Sequence, residues 1–296
     1  FIDSTYPHFT AISTKEIFGS HTLLYEWKGS DPKLLPHLYM GHIDVVPVEV
    51  SSKSKWHSPP FSGEINDGFI YGRGTLDDKA CVIALLETAE QLIKNGFKPR
   101  HSIYFLFGQD EEIGGHEGAE LVANKFLDED TEIGLIWDEG TIIGKDMVPK
   151  ITEEVALIGI AEKGYVSFEL STEIEGGHSS IPESENSIGE LTKAINALMA
   201  NPFPYEISPP VQGFIDYMGP ELPFDMKIAF TNTWLFKPLI FGAYAKTGSG
   251  RALIQTTVVP TIFKAGFKDN VVPVSAKAVV NCRILPGHSI ESTLQY

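Results

Sequence analysis

Short apolar runs alternate with longer stretches of helical period over residues 38–137. Three runs have the length of strands: Leu38-Tyr39-Met40, Ile103-Tyr104-Phe105-Leu106-Phe107 and Ile133-Gly134-Leu135-Ile136-Trp137. Unbroken apolar runs suit strands covered on both faces, as in a parallel sheet. Between the first two, residues 78–95 carry Ala80, Val82, Ile83, Leu85, Leu86, Ala89, Leu92 and Ile93 on one wide apolar helical face. Gly96 and then Pro99 stop that helix. A shorter helix is predicted over 118–126. Strand, helix, strand, helix, strand predicts an α/β fold, a mostly parallel sheet flanked by helices. Residues 1–37 mix helical and extended signals and predict no single element.

The pattern changes near Gly164. Residues 165–174 alternate as a half-exposed antiparallel strand would, with Val166, Phe168 and Leu170 on one side. A helix is predicted over 187–199, and strands over 258–263 and 276–285. The Pro-rich and aromatic stretch 202–238 has no usable period. Two domains are expected, 1–162 and 163–296, the second a smaller α+β domain. Ser289-Ile290-Glu291-Ser292 opens like a capped helix. The chain begins at Phe1 and stops at Tyr296, and it is read as an internal piece of a longer protein.

Composition narrows the partners. The 296 residues hold 23 Lys and Arg against 39 Asp and Glu, 23 − 39 = −16. Such a chain repels phosphate backbones, so nucleic acid and an anionic membrane are poor partners for the molecule as a whole. The longest apolar stretch, 155–161, is far short of the ~20 residues of a membrane span. Cys81 and Cys282 both sit in apolar surroundings and are expected to be buried free thiols.

Candidate chemistry stands at the strand ends, where open α/β sheets bind ligands. His42 and Asp44 follow the first run, Asp110, Glu111 and Glu112 the second, and Asp138 and Glu139 the third. Asp77 and Asp78 stand where the Gly72-Arg73-Gly74-Thr75-Leu76 turn enters the long helix. Each has an ordinary structural explanation: a hydrogen-bonded histidine, a helix cap, a solvated loop, a turn cap. Four such loops at successive strand ends are harder to explain that way. Clustered carboxylates repel unless protons or cations neutralise them. Imidazole with carboxylates suits zinc or a similar divalent ion, and more than three carboxylates leave room for two ions. No G-x-S-x-G elbow and no P-loop signature occurs.

The same residues resemble the ArgE/DapE/carboxypeptidase S family of di-zinc metallopeptidases and aminoacylases. Met40-Gly41-His42-Ile43-Asp44-Val45-Val46-Pro47 is similar to its first metal motif. Tyr71-Gly72-Arg73-Gly74-Thr75-Leu76-Asp77-Asp78-Lys79 is similar to the second, and Asp110-Glu111-Glu112-Ile113-Gly114-Gly115 to the third. Gly176-Gly177-His178-Ser179-Ser180-Ile181-Pro182 and Asn281-Cys282-Arg283-Ile284-Leu285-Pro286-Gly287 resemble two lid-domain motifs. The segments Trp234-Leu235-Phe236 and Thr261-Ile262-Phe263-Lys264-Ala265-Gly266 resemble the carboxypeptidase S branch, with its N-fatty-acyl-amino acid synthase/hydrolases.

The resemblance implies a zinc-peptidase-type catalytic sheet with an inserted α+β lid and dimerisation domain. It implies hydrolysis of amide or peptide bonds in N-acyl amino acids or short peptides, reversible in principle. His42 would bind one Zn2+, Asp77 would bridge two, Glu112 would bind the second and Asp138 the first. Glu111 would be the general base, and Asp44 would orient His42. His178 would stabilise the oxyanion, across a dimer interface. Arg283 and Asn270 would hold the substrate carboxylate or polarised oxygen. The implied partners are a small molecule or short peptide with a free carboxylate and a second copy of the chain. The compartment stays open, with resemblance pointing to secretion or the vacuole and lysosome. The family's last zinc ligand is a histidine beyond the lid, and His288, inside the lid motif, is a poor substitute. Two alternatives follow: a catalytically incomplete binding or dimerisation fragment, or a small-substrate deacetylase of the same family.

Overall fold

Alternation along Phe105-Leu106-Phe107 sends the two phenylalanines to one face of a sheet and the leucine to the other. Both faces are covered in the computed structural model, which describes residues 1–140, 142–148 and 150–296. The chain divides into two compact units, Phe1–Gly140 and Thr141–Tyr296.

The first unit runs α1 (Ile2–Thr5), α2 (Pro7–Ile12), β1 (Thr14–Phe18), β2 (Thr22–Trp27), β3 (His37–His42), β4 (Glu64–Asn66), β5 (Phe69–Tyr71), α3 (Lys79–Lys94), β6 (Ile103–Gly108), α4 (Ala119–Asp128) and β7 (Leu135–Trp137). Five strands form the main sheet in the order β1-β2-β6-β3-β7. The three strands expected from the apolar runs pair in parallel, β3 with β6 and with β7. Residues 14–27, silent in the sequence pattern, add an antiparallel hairpin paired to β6, so the sheet is mixed. Phe105 and Phe107 pack with Tyr25, Trp27, Phe9 and with Val82, Leu86 and Ala89 of α3. Leu106 packs with Leu24, Leu38 and with Val122 and Phe126 of α4. Strand β7 departs from the expectation of two covered faces: Leu135, Ile136 and Trp137 are all exposed, at the sheet edge.

Helix α3 begins and ends as its sequence dictates. Asp78 is its N-cap residue, and the Gly96 and Phe97 amides return to the Ile93 and Leu92 carbonyls, with Gly96 at φ 74°. Glu90, buried on α3, ties down the chain's first turns. Its carboxylate accepts the Phe9 amide at 2.8 Å and contacts His8 Nδ1 at 2.7 Å and Lys94 Nζ at 3.4 Å. Burial works to raise its pKa, but the Phe9 and His8 amides, the His8 ring and Lys94 outweigh it and hold it below the usual carboxylate range. Glu90→Ala strands buried donors and is expected to cost about 2–3 kcal/mol. Urea unfolding of the variant against the parent measures it, and an unchanged midpoint would mean that the contacts contribute nothing net.

The second unit runs β8 (Ile142–Gly144), β9 (Val155–Leu157), β10 (Gly164–Glu173), β11 (Gly177–His178), α5 (Ser187–Ala200), α6 (Pro209–Met218), α7 (Phe224–Thr231), α8 (Thr233–Tyr244), α9 (Gly248–Ile254), β12 (Thr257–Ala265), β13 (Val271–Val272), β14 (Ser275–Ile284) and α10 (Ile290–Gln295). Residues ahead of 163 belong here because Val148 and Ile151 are buried with Leu222. Strands β10, β14 and β12 form an antiparallel sheet. Leu191 of α5 packs on Ala276 and Ala278, whose small side chains let the helix approach. Strand β12 is an edge, where Pro260 and the register shift that follows it are tolerated. Ser289 caps α10 as its sequence predicts. Both cysteines are free, Cys282 buried and Cys81 partly so.

Candidate metal centre

The parallel strands β3, β6 and β7 end at one edge of the sheet, and the acidic loops leave from there. A cleft of about 240 Å3 opens at that edge, lined by His42, Asp110, Glu111 and Asp138 and floored by Met40 and Leu106. Gly41 makes the approach of α3 possible. A Cβ there would stand 2.8 Å from Asp78 Oδ2 and 3.1 Å from Val82. With no Cβ in the way, Asp78 Oδ2 accepts the His42 amide at 3.1 Å and fixes the end of β3.

His42 is buried, and its ring is oriented by two contacts. Nδ1 donates to the Asp44 carbonyl at 3.1 Å, with Asp44 Oδ1 also 3.3 Å away. That sets the tautomer and leaves Nε2 facing the acidic cluster. Nε2 lies 3.0 Å from Asp77 Oδ1, 3.7 Å from Glu139 Oε2 and 3.8 Å from Glu111 Oε2. The Asp44 carboxylate has a second task. Its oxygens accept the Glu111 amide at 3.2 Å and the Glu112 amide at 3.0 Å. It thereby caps the 3-10 turn Glu111–Ile113, which Gly114 closes at φ 107°. One side chain thus holds both the histidine and the two glutamates in place.

So many carboxylates at one edge are tolerated only with protons or cations to neutralise them. Asp44, Asp77, Asp78, Glu111, Glu112, Asp138 and Glu139 gather around a single imidazole. Burial raises the Glu139 pKa to about 7, with Asp78, Asp77 and Glu111 adding to the shift against His42. Burial likewise raises Glu111, helped by Glu112, Asp44 and Asp77. For His42, burial acts downward, but the Asp77 contact and the Glu139, Glu111 and Asp44 charges carry its pKa up. Among the described residues, Glu112 Oε1 is buried with no hydrogen-bond partner. An orphaned carboxylate oxygen beside an imidazole, in an excess of negative charge, fits a divalent metal. The 3.0 Å between His42 Nε2 and Asp77 Oδ1 is a separation that two ligands, each about 2.0–2.2 Å from one ion, can adopt.

Among the described residues, ligand atoms within 4.8 Å of one another form two groups, His42 with Asp78 and Glu139, and His42 with Glu111 and Glu112. The sequence places Asp78 and Glu139 in the acidic clusters, but the resemblance assigned the ligand roles to their neighbours Asp77 and Asp138. Nothing in the sequence says which member of an acidic pair turns inward. Asp138 lines the cleft, and its Oδ1 accepts the Glu139 amide at 2.9 Å.

The other three expected site residues lie in the second unit. His178 is exposed on β11, and its Nδ1 accepts the Ser180 amide at 3.2 Å and lies 2.7 Å from the Ser180 hydroxyl, which leaves Nε2–H without a partner among the described residues. Strand β11 pairs with β13, so His178 opposes Val271, next to Asn270, whose Oδ1 is buried and without a partner among the described residues. Arg283 is placed elsewhere, near the far end of β14, with its guanidinium 4.8 Å over the Tyr165 ring. Eight residues of extended strand, roughly 26 Å, separate it from Ser275 at the start of β14.

The profile described as peptidase family M20/M25/M40 matches residues 38–219, and the peptidase dimerisation domain matches residues 160–296. The chain is 42% identical to the probable carboxypeptidase S-like 2 of Dictyostelium discoideum over 100% of its length, and 40% identical to the N-fatty-acyl-amino acid synthase/hydrolase PM20D1 of Xenopus tropicalis over 99%. It spans 57% of the length of either relative. The crystal structure of the M20 family metallo-carboxypeptidase Sso-CP2 from Sulfolobus solfataricus shares the fold. Its TM-score is 0.64 over 99% of this chain and 68% of that one, at 19% identity. With the family profile spanning both the strand-end loops and the start of the second unit, the chain belongs to peptidase family M20/M25/M40.

Proposed function

We propose that the protein is a zinc-dependent amidohydrolase of carboxypeptidase or aminoacylase type, working on N-acyl amino acids or short peptides. The observation that carries this reading is the buried imidazole of His42 beside a cleft edged by carboxylates, one of them with an orphaned oxygen. His42, Asp77 and Glu112 would hold the ions, with a further carboxylate from the Asp138-Glu139 pair. Glu139 enters this reading because it approaches His42 Nε2 more closely than a spectator needs to. Bound divalent ions would acidify a water and draw charge onto the carbonyl oxygen.

The chain's own residues supply the rest. Glu111 lines the cleft, where its carboxylate would act as the general base. It takes a proton from the attacking water at a carboxylate oxygen and delivers it to the departing amine nitrogen. Asp44 keeps Glu111 and His42 in register through the two amide bonds and the Nδ1 contact. His178 would donate from Nε2–H to the developing oxyanion. Arg283 and Asn270 would bind a substrate carboxylate, Arg283 through its planar fork. The dimerisation-domain match supports a homodimer, in which His178 would serve the partner's cleft. At high amine and acid concentrations the same residues would run the reaction toward condensation.

A substrate panel on the full-length protein tests the reading. Long-chain N-acyl amino acids, acetylated amino acids and Gly-Xaa dipeptides are compared with their C-terminal methyl esters. Long-chain N-acyl amino acids should turn over fastest, and each ester should turn over more slowly than its free acid. If the zinc-loaded protein cleaves none of them, the proposal fails. If only the acetylated substrates are cleaved, the small-substrate deacetylase is the correct member of the family.

A further inference from the structure

The loop from β6 to α4 carries Glu111 and Glu112. The Asp44 carboxylate accepts both of their amides, which fixes the start of the 3-10 turn. Beyond the turn the chain has little stiffness of its own, because Gly114 and Gly115 both take left-handed conformations, at φ 107° and 70°. What holds this second half is Asp110, a buried carboxylate with no role assigned so far.

Asp110 closes the loop on itself. Its carbonyl accepts the Ile113 amide at 3.2 Å and the Gly115 amide at 2.8 Å. Its Oδ2 accepts the Glu117 amide at 2.7 Å, seven residues on. Neighbouring Gln109 donates from Nε2 to the Glu117 carbonyl at 3.3 Å, so both main-chain polar groups of Glu117 return to the end of β6. That end is itself fixed, since the Gln109 amide donates to the hydroxyl oxygen of Thr22, a fully buried residue, at 3.2 Å. Gly118 completes the fit. A Cβ there would overlap Asp110 Oδ1 and stand 2.7 Å from Thr22 Oγ1, so only glycine lets the carboxylate lie against the start of α4.

This arrangement costs stability. Asp110 Oδ1 is buried with no hydrogen-bond partner among the described residues, and desolvating a carboxylate that is half satisfied is unfavourable. Asp110 also belongs to neither group of potential ligands around His42 among the described residues. Its effect on the cleft therefore passes through the backbone that it ties together.

We propose that Asp110 is a positioning residue: by closing the loop onto Glu117 it holds the Glu111–Ile113 turn against the Asp44 clamp, and so sets where Glu111 and Glu112 point. This rests on the proposed roles of Glu111 as base and Glu112 as ligand.

Zinc affinity of the full-length protein, read by competition with a chromophoric chelator, tests this without reference to turnover. Asp110→Ala should weaken it about 10–100-fold, the range for losing a group that orients a ligand. Asp110→Asn keeps an acceptor for the Glu117 amide and should recover most of that loss. Gly118→Ala displaces the carboxylate without removing its charge and should weaken binding as Asp110→Ala does. In the double variant the two losses should not multiply, since both break one contact. Urea midpoints are measured alongside, because a residue that only supports the fold would lower the midpoint and leave the affinity of the folded protein unchanged. The proposal is overturned if Asp110→Ala folds and binds zinc as the parent does, if Asp110→Asn is as poor as Asp110→Ala, or if the two losses multiply. Should Asp110→Ala fail to fold, full affinity in Gly118→Ala overturns it, and loss there with retention in Asp110→Asn supports it. A parent that binds zinc but cleaves no N-acyl substrate or peptide removes the proposed function and leaves the hold of Asp110 on the metal ligand standing.

Discussion

Glu111→Gln is expected to lower turnover of an N-acyl amino acid by about 10²–10⁴-fold while leaving bound metal unchanged. The amide keeps the shape of the side chain but cannot take up the proton. The Glu111 backbone bond to Asp44 survives, so the 3-10 turn and Glu112 stay in place. Turnover and metal content are measured on the same full-length preparation. Full turnover would remove Glu111 from the chemistry, and loss of metal together with turnover would make it a ligand instead of a base.

His42→Ala should have the second large effect, on metal rather than on the proton. The ring is the one imidazole among seven carboxylates, and no neighbouring side chain can take the place of Nε2. Changes to groups that merely orient a ligand cost about 10–100-fold in metal affinity, so losing His42 should cost more than about 100-fold. Competition with a chromophoric chelator reads this without reference to catalysis. The same titration separates the acidic pairs. Asp77→Asn should approach the His42 loss, because Asp77 Oδ1 faces Nε2, whereas Asp78→Asn should retain metal, because Asp78 already serves the His42 amide. Comparing Asp138→Asn with Glu139→Gln assigns the remaining ligand. Unchanged affinity in His42→Ala would place the metal elsewhere and undo the reading of the cleft.

Much of the first unit was legible before the structure. The apolar runs became β3 and β6, and the wide apolar face over 78–95 became α3, closed at Gly96 as its residues require, although the Asp78 side chain at its start goes to the His42 amide and makes no cap. Locally encoded elements of this kind depend on spacing and caps within a few residues. The hairpin of β1 and β2 was not legible. Its residues alternate weakly, and its place is decided by pairing with β6, some eighty residues away. Residues 202–238 were equally silent, because α6 to α8 pack among themselves and leave apolar groups on the outside, which blurs the helical period.

The site divides along the same line. The sequence by itself determined the stock of groups: one histidine and one acid at the end of β3, adjacent acids at the ends of β6 and β7, and an acidic turn before α3. It also determined that they would meet, since parallel strands bring their carboxyl ends to one edge. Only the tertiary structure decided which oxygen of which acid turns inward. It sets Asp77 against Nε2 and Asp78 against the His42 amide, brings Glu139 to His42, and uses Asp44 to clamp Glu111 and Glu112. Adjacent acids are indistinguishable along a chain. Their roles follow from backbone direction at the end of each strand and from the close approach that Gly41 permits, and both are settled only once distant segments have packed.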